Sequence, residues 1–191
     1  VNKENQTAMI EVIAGTNRPG SNSLKVAKII VSMYQDLGRE VQLLSLADIP
    51  QEIFNPSSYA EKPASFAPFA NRILVADGLH VVVPEYNGSF PGVMKYFIDM
   101  LKFPESFEHR CVAFTGLAAG IWGAFRSVEQ LQMIFGYRNA YIMPERIWIP
   151  GINQKWNSEG TALAEDSLTQ RLRDQVAQFA DFVAKHKGGY G

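Results

Sequence analysis

AMIEVIAG-TNRPGSNS-LKVAKIIVSMYQDLG, Ala8 to Gly38, changes its periodicity twice. Ala8–Gly15 is a nearly unbroken apolar run ending in glycine, the pattern of a buried strand followed by a turn. From Ser23 to Leu37 the apolar residues Leu24, Ala27, Ile30, Val31 and Tyr34 fall on one helical face, and Gly38 is a natural stop. A strand, a glycine-bearing loop and a helix together form the opening of a βαβ unit.

The same alternation runs along the chain. Glu40–Leu46 predicts a second strand and Gly78–Pro84 (GLHVVVP) a strongly apolar third. Arg110–Thr115 predicts a fourth, and Ala140–Met143 a short fifth. Helices are predicted at Ala70–Asp77, Pro91–Lys102, Trp122–Phe135 (closed by Gly136) and Thr161–Lys185. Pro50–Pro68 and Pro144–Glu159 read as irregular connections. Strands alternating with helices imply a parallel sheet covered on both faces. Five strands fit an α/β, flavodoxin-like three-layer sandwich of order 2-1-3-4-5, whose ligands bind beyond the carboxyl ends of the strands. That rule selects three loops: Gly15–Ser23, Pro84–Gly92 and Thr115–Gly123.

In the first loop, Gly15 and Gly20 have the glycine spacing of a Walker A motif, but Ser21 and Asn22 follow and no lysine does. Thr16, Ser21, Asn22 and Ser23 supply short polar side chains, Arg18 a planar cation, and the following helix an N-terminus that favours an anion. A single phosphate monoester suits this loop better than a triphosphate; a plain capping turn, with Ser21 or Asn22 as N-cap, is the alternative. The second loop, PEYNGSFPG, presents Glu85 and Tyr86 beside the tight-turn pair Asn87-Gly88. Its backbone amides suit the polar edge of a flat heterocycle, with Tyr86 against the ring. The third loop, TGLAAGIWG, carries Gly116, Gly120 and Gly123, which permit close backbone approach. Trp122 is expected in the core, with a wall of the cleft as its alternative.

Other classes find little support. The 191 residues carry a net charge of −1 and no basic tract, so no nucleic-acid footprint is visible. Three scattered histidines and one cysteine have no metal-ligand spacing. Cys111 lacks the C-x5-R of a small tyrosine phosphatase, because Leu117 stands at the arginine position; it reads as a small core residue. No apolar run is long enough to span a membrane, and the polar N-terminus has no signal-peptide core, so a cytoplasmic location is the default. The expected organisation is a polar tail (1–7), one domain (8–187) and a short C-terminal tail (188–191).

Two motifs carry a resemblance. Gly15-Thr16-x-Arg18-x-x-Ser21-x-Ser23 is similar to the G-S-x-R-x-x-S-x-N phosphate loop of the NADPH-dependent FMN reductase family. Pro84-Glu85-Tyr86-Asn87-Gly88-Ser89-x-Pro91-Gly92-Val93-x-Lys95-x-x-Ile98-Asp99 is similar to that family's P-E-Y-N-G-S-x-P-G-x-x-K-N-x-I-D. The resemblance extends over residues 8 to about 185. It implies that Thr16, Arg18, Ser21 and either Asn22 or Ser23 hold the FMN phosphate. It also implies that Pro84, Glu85, Tyr86, Asn87 and Gly88 line the ring, and that the stretch Thr115 to Gly120, with Gly116 in it, contacts its opposite edge. The implied activity is ping-pong hydride transfer from NADPH or NADH to bound FMN, then two-electron reduction of a small-molecule acceptor, with no side chain as nucleophile. A flavodoxin-type carrier is the alternative, though its usual strong acidity is missing here. The resemblance further implies a homodimer or homotetramer, with Met94, Phe97, Met100, Leu101 and Phe103 offering apolar surface. Thr16 keeps the hydroxyl of the usual serine, the asparagine is displaced by one to Asn22, and Ile121-Trp122-Gly123 departs from the family's glycine-rich third loop.

Overall fold

The computed structural model describes residues 8–187; the tails expected at 1–7 and 188–191 lie outside the described residues. Strands β1 (Met9–Ala14), β2 (Glu40–Ser45), β3 (Gly78–Pro84), β4 (Cys111–Leu117) and β5 (Tyr141–Ile149) form a parallel sheet of order β2-β1-β3-β4-β5. The order expected from the alternation is the one observed. Helices α1 (Asn22–Asp36) and α5 (Asp166–His186) cover one face, while α2 (Ala67–Val75), α3 (Gly92–Met100) and α4 (Phe125–Tyr137) cover the other.

The alternating side chains of each strand feed two separate cores. Ile10, Val12 and Ala14 of β1 pack with Val26, Ile30 and Tyr34 of α1 and with Val176, Phe179 and Val183 of α5. Ile13 faces the other way and joins Phe66, Ile73, Phe97 and Phe114. β3 and β4 are buried along their whole length, which is why both read as continuous apolar runs. In α1 the buried face is Ser23, Val26, Ala27, Ile30, Met33 and Tyr34, so Leu24 and Val31 sit at its margins rather than at its centre.

Several expectations change. β5 continues to Ile149, because its register with β4 slips between Val112 and Phe114, where Pro144 and Glu145 lie exposed in a bulge. Proline is tolerated there because β5 is an edge strand. α4 begins at Phe125 rather than Trp122, since Gly123 and Ala124 adopt positive φ (58° and 69°) just before it. It runs through Gly136 to Tyr137, and Asn139 (φ 61°) takes the left-handed role expected of that glycine. Met94, Phe97, Met100 and Leu101 are all buried within the chain, so of the apolar set near α3 only Phe103 is exposed. The 50–68 segment contains three short 3-10 turns that bury Ile53, Ser58 and Phe66 against the core.

Candidate cofactor site

The loops after β1, β3 and β4 converge above the carboxyl edge of the sheet on a cavity of about 360 Å³, within the range of small-molecule sites. Its walls come from Arg18–Ser23, Pro84–Tyr86, Leu117–Ala119 and the pair Ile152–Asn153.

The first wall is the start of α1. Ser21 is the N-cap: its Oγ accepts from the Leu24 amide (3.2 Å) and from the Ser23 hydroxyl (3.1 Å). A hydroxyl has two acceptor lone pairs and one proton, so Ser21 has used its acceptors and keeps its proton to donate. Ser23 is fully buried and spends its own proton on Ser21. Asn22 is occupied at both ends: its Nδ2 donates to Asn153 Oδ1 (2.8 Å) and its Oδ1 accepts from Trp156 Nε1 (3.1 Å). The first-turn amides of Asn22 and Ser23 have no acceptor within the helix and carry the positive end of its dipole. Arg18 is exposed and, among the described residues, is the one cation lining the cavity.

The second wall is a miniature hairpin. Tyr86 and Ser89 exchange backbone hydrogen bonds (2.8 and 3.1 Å), and Asn87 and Gly88 between them take φ of 53° and 76°. That is the type I′ turn for which Asn-Gly is the preferred pair. Ser89 Oγ donates to Gln130 Oε1 of α4 (2.5 Å), and the Glu85 amide donates to the Leu117 carbonyl (3.1 Å), joining the second loop to the third. Tyr86 lines the cavity and hydrogen-bonds through its hydroxyl to Thr16 Oγ1 (2.9 Å), and Thr16 Oγ1 also accepts from the Arg18 amide (3.3 Å). Thr16 is buried and braces the loop from beneath. Glu85 lines the cavity, and its Oε2 is buried with no hydrogen-bond partner.

The third wall comes from a shorter part of the expected stretch. Thr115 and Gly116, both assigned to the ring edge from the resemblance, lie inside β4 and do not line the cavity. The Thr115 side chain points into the α1/α5 core, where it bonds His80 Nε2 (2.9 Å) and Gln175 Oε1 (2.7 Å). A Cβ on Gly116 would stand 2.8 Å from the Gly123 carbonyl and 2.9 Å from Val128, so this glycine admits the turn that starts α4. Leu117, Ala118 and Ala119, the middle of the expected 115–120 stretch, form the wall. Asn87, Gly88 and Gly120 lie on the loops around the cavity but not in its lining. Gly120 accepts from the Gly151 amide (3.1 Å). Trp122, expected in the core, is 62% exposed on this loop beside Ile121. The residues missed from sequence are Ile152 and Asn153, in a segment that offered no motif.

Comparison with known proteins agrees with this geometry. The model of the NADPH-dependent FMN reductase family matches residues 8–154. A quinone reductase of Escherichia coli is 26% identical over 181 residues, covering 93% of this chain and 96% of that protein. An NAD(P)H-dependent FMN reductase of Pseudomonas aeruginosa is 25% identical over 181 residues, covering 92% and 95%. Among solved structures, the flavoenzyme NAD(P)H:(acceptor) oxidoreductase FerB of Paracoccus denitrificans superposes with a TM-score of 0.74 at 24% identity, covering 94% of this chain and 98% of that one. With the matched model spanning all three loops, the chain belongs to the NADPH-dependent FMN reductase family.

Proposed function

We propose that this protein is an NAD(P)H-dependent FMN oxidoreductase that passes two electrons to a small-molecule acceptor such as a quinone, an azo compound, a metal oxyanion or free flavin. The observation that carries the reading is the polarity of one cavity. Its first wall gathers donors: Arg18, the spare Ser21 proton and the α1 N-terminal amides. Its second wall includes Glu85, whose buried Oε2 has no hydrogen-bond partner. FMN fits such a site, with a phosphate dianion for the donors.

Bound FMN supplies the hydride-accepting ring that nicotinamide reduces and the acceptor reoxidises. The chain's own residues bind and orient. Arg18, Ser21 and the amides of Asn22 and Ser23 hold the phosphate, while Thr16, steadied by Tyr86, keeps the loop in shape. Pro84, Glu85 and the hairpin through Gly88 flank the ring, with Leu117–Ala119 opposite. No side chain acts as a nucleophile.

The relatives named as quinone reductase, FMN reductase and azoreductase support the quinone, flavin and azo acceptors in this range. A homo-oligomer would use the outer face of α4 rather than α3. There Met133 and Tyr137 are 71% and 81% exposed beside Phe103, with Arg138 4.2 Å from the Phe103 ring. A cytoplasmic location is part of the same proposal.

Reconstitution with FMN, followed by anaerobic NADPH, tests the function. Flavin absorbance is expected to appear on the protein and to bleach within seconds. Bound flavin that stays oxidised with both NADPH and NADH would indicate a carrier instead. Arg18→Ala is expected to raise the FMN dissociation constant about tenfold, from one lost charge-assisted hydrogen bond. It should leave riboflavin, which has no phosphate, unchanged.

A further inference from the structure

The segment after β5 touches the first and third walls of the cofactor cavity. The Gly151 amide donates to the Gly120 carbonyl (3.1 Å) and the Ile152 amide to the Ala118 carbonyl (3.0 Å), which ties the segment to the third loop. Asn153 and Trp156 then close on Asn22, at the first turn of α1. Trp156 also lies under the Lys25 ammonium, 5.1 Å from its ring centroid, one turn further along α1. Ile152 and Asn153 themselves line the cavity.

We infer that residues 151–156 form a clasp that positions the anion-binding end of α1, with Asn22 as its hub and Trp156 as its anchor. The inference rests on the proposed FMN site and assigns residues that the phosphate-loop pattern leaves open. The Asn22 side chain gives one amide N–H and its oxygen to the clasp, while its backbone N–H is one of the first-turn donors of α1. Trp156 lies just beyond the stretch matched by the family model. The clasp aims amides rather than touching the phosphate. Loosening it should therefore weaken ligands that carry a phosphate and spare those that do not.

The test is the ratio of FMN to riboflavin affinity, read by quenching of flavin fluorescence on apoprotein. Trp156→Phe removes the indole N–H and keeps an aromatic ring under Lys25; Asn22→Ala removes the hub. Each is expected to raise the FMN dissociation constant about fivefold, the scale of one part-buried hydrogen bond, and to move riboflavin less than twofold. Equal losses for both flavins would show that the clasp supports the fold in general and would overturn the inference. So would unchanged FMN binding in both variants. Should Asn22→Ala fail to fold, Trp156→Phe decides alone. Wild-type protein that binds neither flavin would overturn the proposed function itself, an outcome distinct from wild-type binding that the variants leave intact.

Discussion

Acidification from about pH 7 to about pH 4 is expected to cost this protein on the order of 3 kcal/mol through one buried residue, His80. The imidazole is wholly buried between β3 and the helices α1 and α5, and burial lowers its pKa from 6.5 to about 3. The surrounding hydrogen bonds fix the neutral form. Thr115 donates its proton to Gln175 Oε1 (2.7 Å), so its oxygen accepts from His80 Nε2–H (2.9 Å). His80 Nδ1 is then the acceptor for the Tyr34 hydroxyl (2.8 Å), whose own pKa burial pushes far up. Every proton in this relay has one destination. A second proton on His80 would face the Tyr34 proton head-on, with no water to receive either. Because the folded pKa lies below the unfolded one, the stability is complete above 6.5 and is lost as pH falls toward 3. Urea unfolding at several pH values measures it. His80→Gln, which keeps an N–H for Thr115 and cannot titrate, should start less stable and lose this part of the acid dependence. An unchanged pH profile in that variant would place the acid sensitivity elsewhere.

The same relay shows where the sequence stops being legible. Sheet order, the α1 turn and the Asn87-Gly88 hairpin follow from periodicity and turn chemistry, because each leaves a local mark. Thr115 leaves none. β4 is apolar on both faces, so nothing in CVAFTGL says whether its threonine looks toward a ligand or into the core. The answer depends on His80 and Gln175, which are 35 and 60 residues away. Glu11 is similar: a lone acid in an apolar strand, explained only by an arginine on a distant helix. Trp156 and Asn153 sit in a loop whose role exists only once α1 is beside it. By contrast Cys111, read as a small core residue, is buried with its thiol pushed up to about 11. A position with no polar partner to find can be read locally.

Arg72→Met is expected to cost about 3–5 kcal/mol near neutral pH, the penalty of leaving a buried carboxylate alone. Glu11 lies within β1 with its side chain 1% exposed; Arg72 reaches it from α2 with Nε on Oε2 (3.0 Å) and a terminal nitrogen on Oε1 (2.5 Å). Even so, burial outweighs the arginine and holds the carboxyl above its ordinary 4.5. A raised carboxyl contributes its stability below 4.5 and loses it as pH rises through the folded value, the opposite sense to His80. Removing Arg72 takes away both influences that lower the pKa, so the carboxyl rises further. The deficit of Arg72→Met should therefore be largest near pH 7 and shrink toward pH 4.5. Adding Glu11→Gln, which removes the charge and keeps the shape, should recover much of it. A deficit equal at every pH would assign the loss to packing of the arginine stem instead. The pair matters to the site because α2 leads directly into β3, and β3 carries the Pro84–Ser89 loop at its end. An ion pair from β1 to α2 holds that crossover against the strand that bears the first loop. The first and second walls of the cavity are thus held in register from below, at the far end of the same two strands.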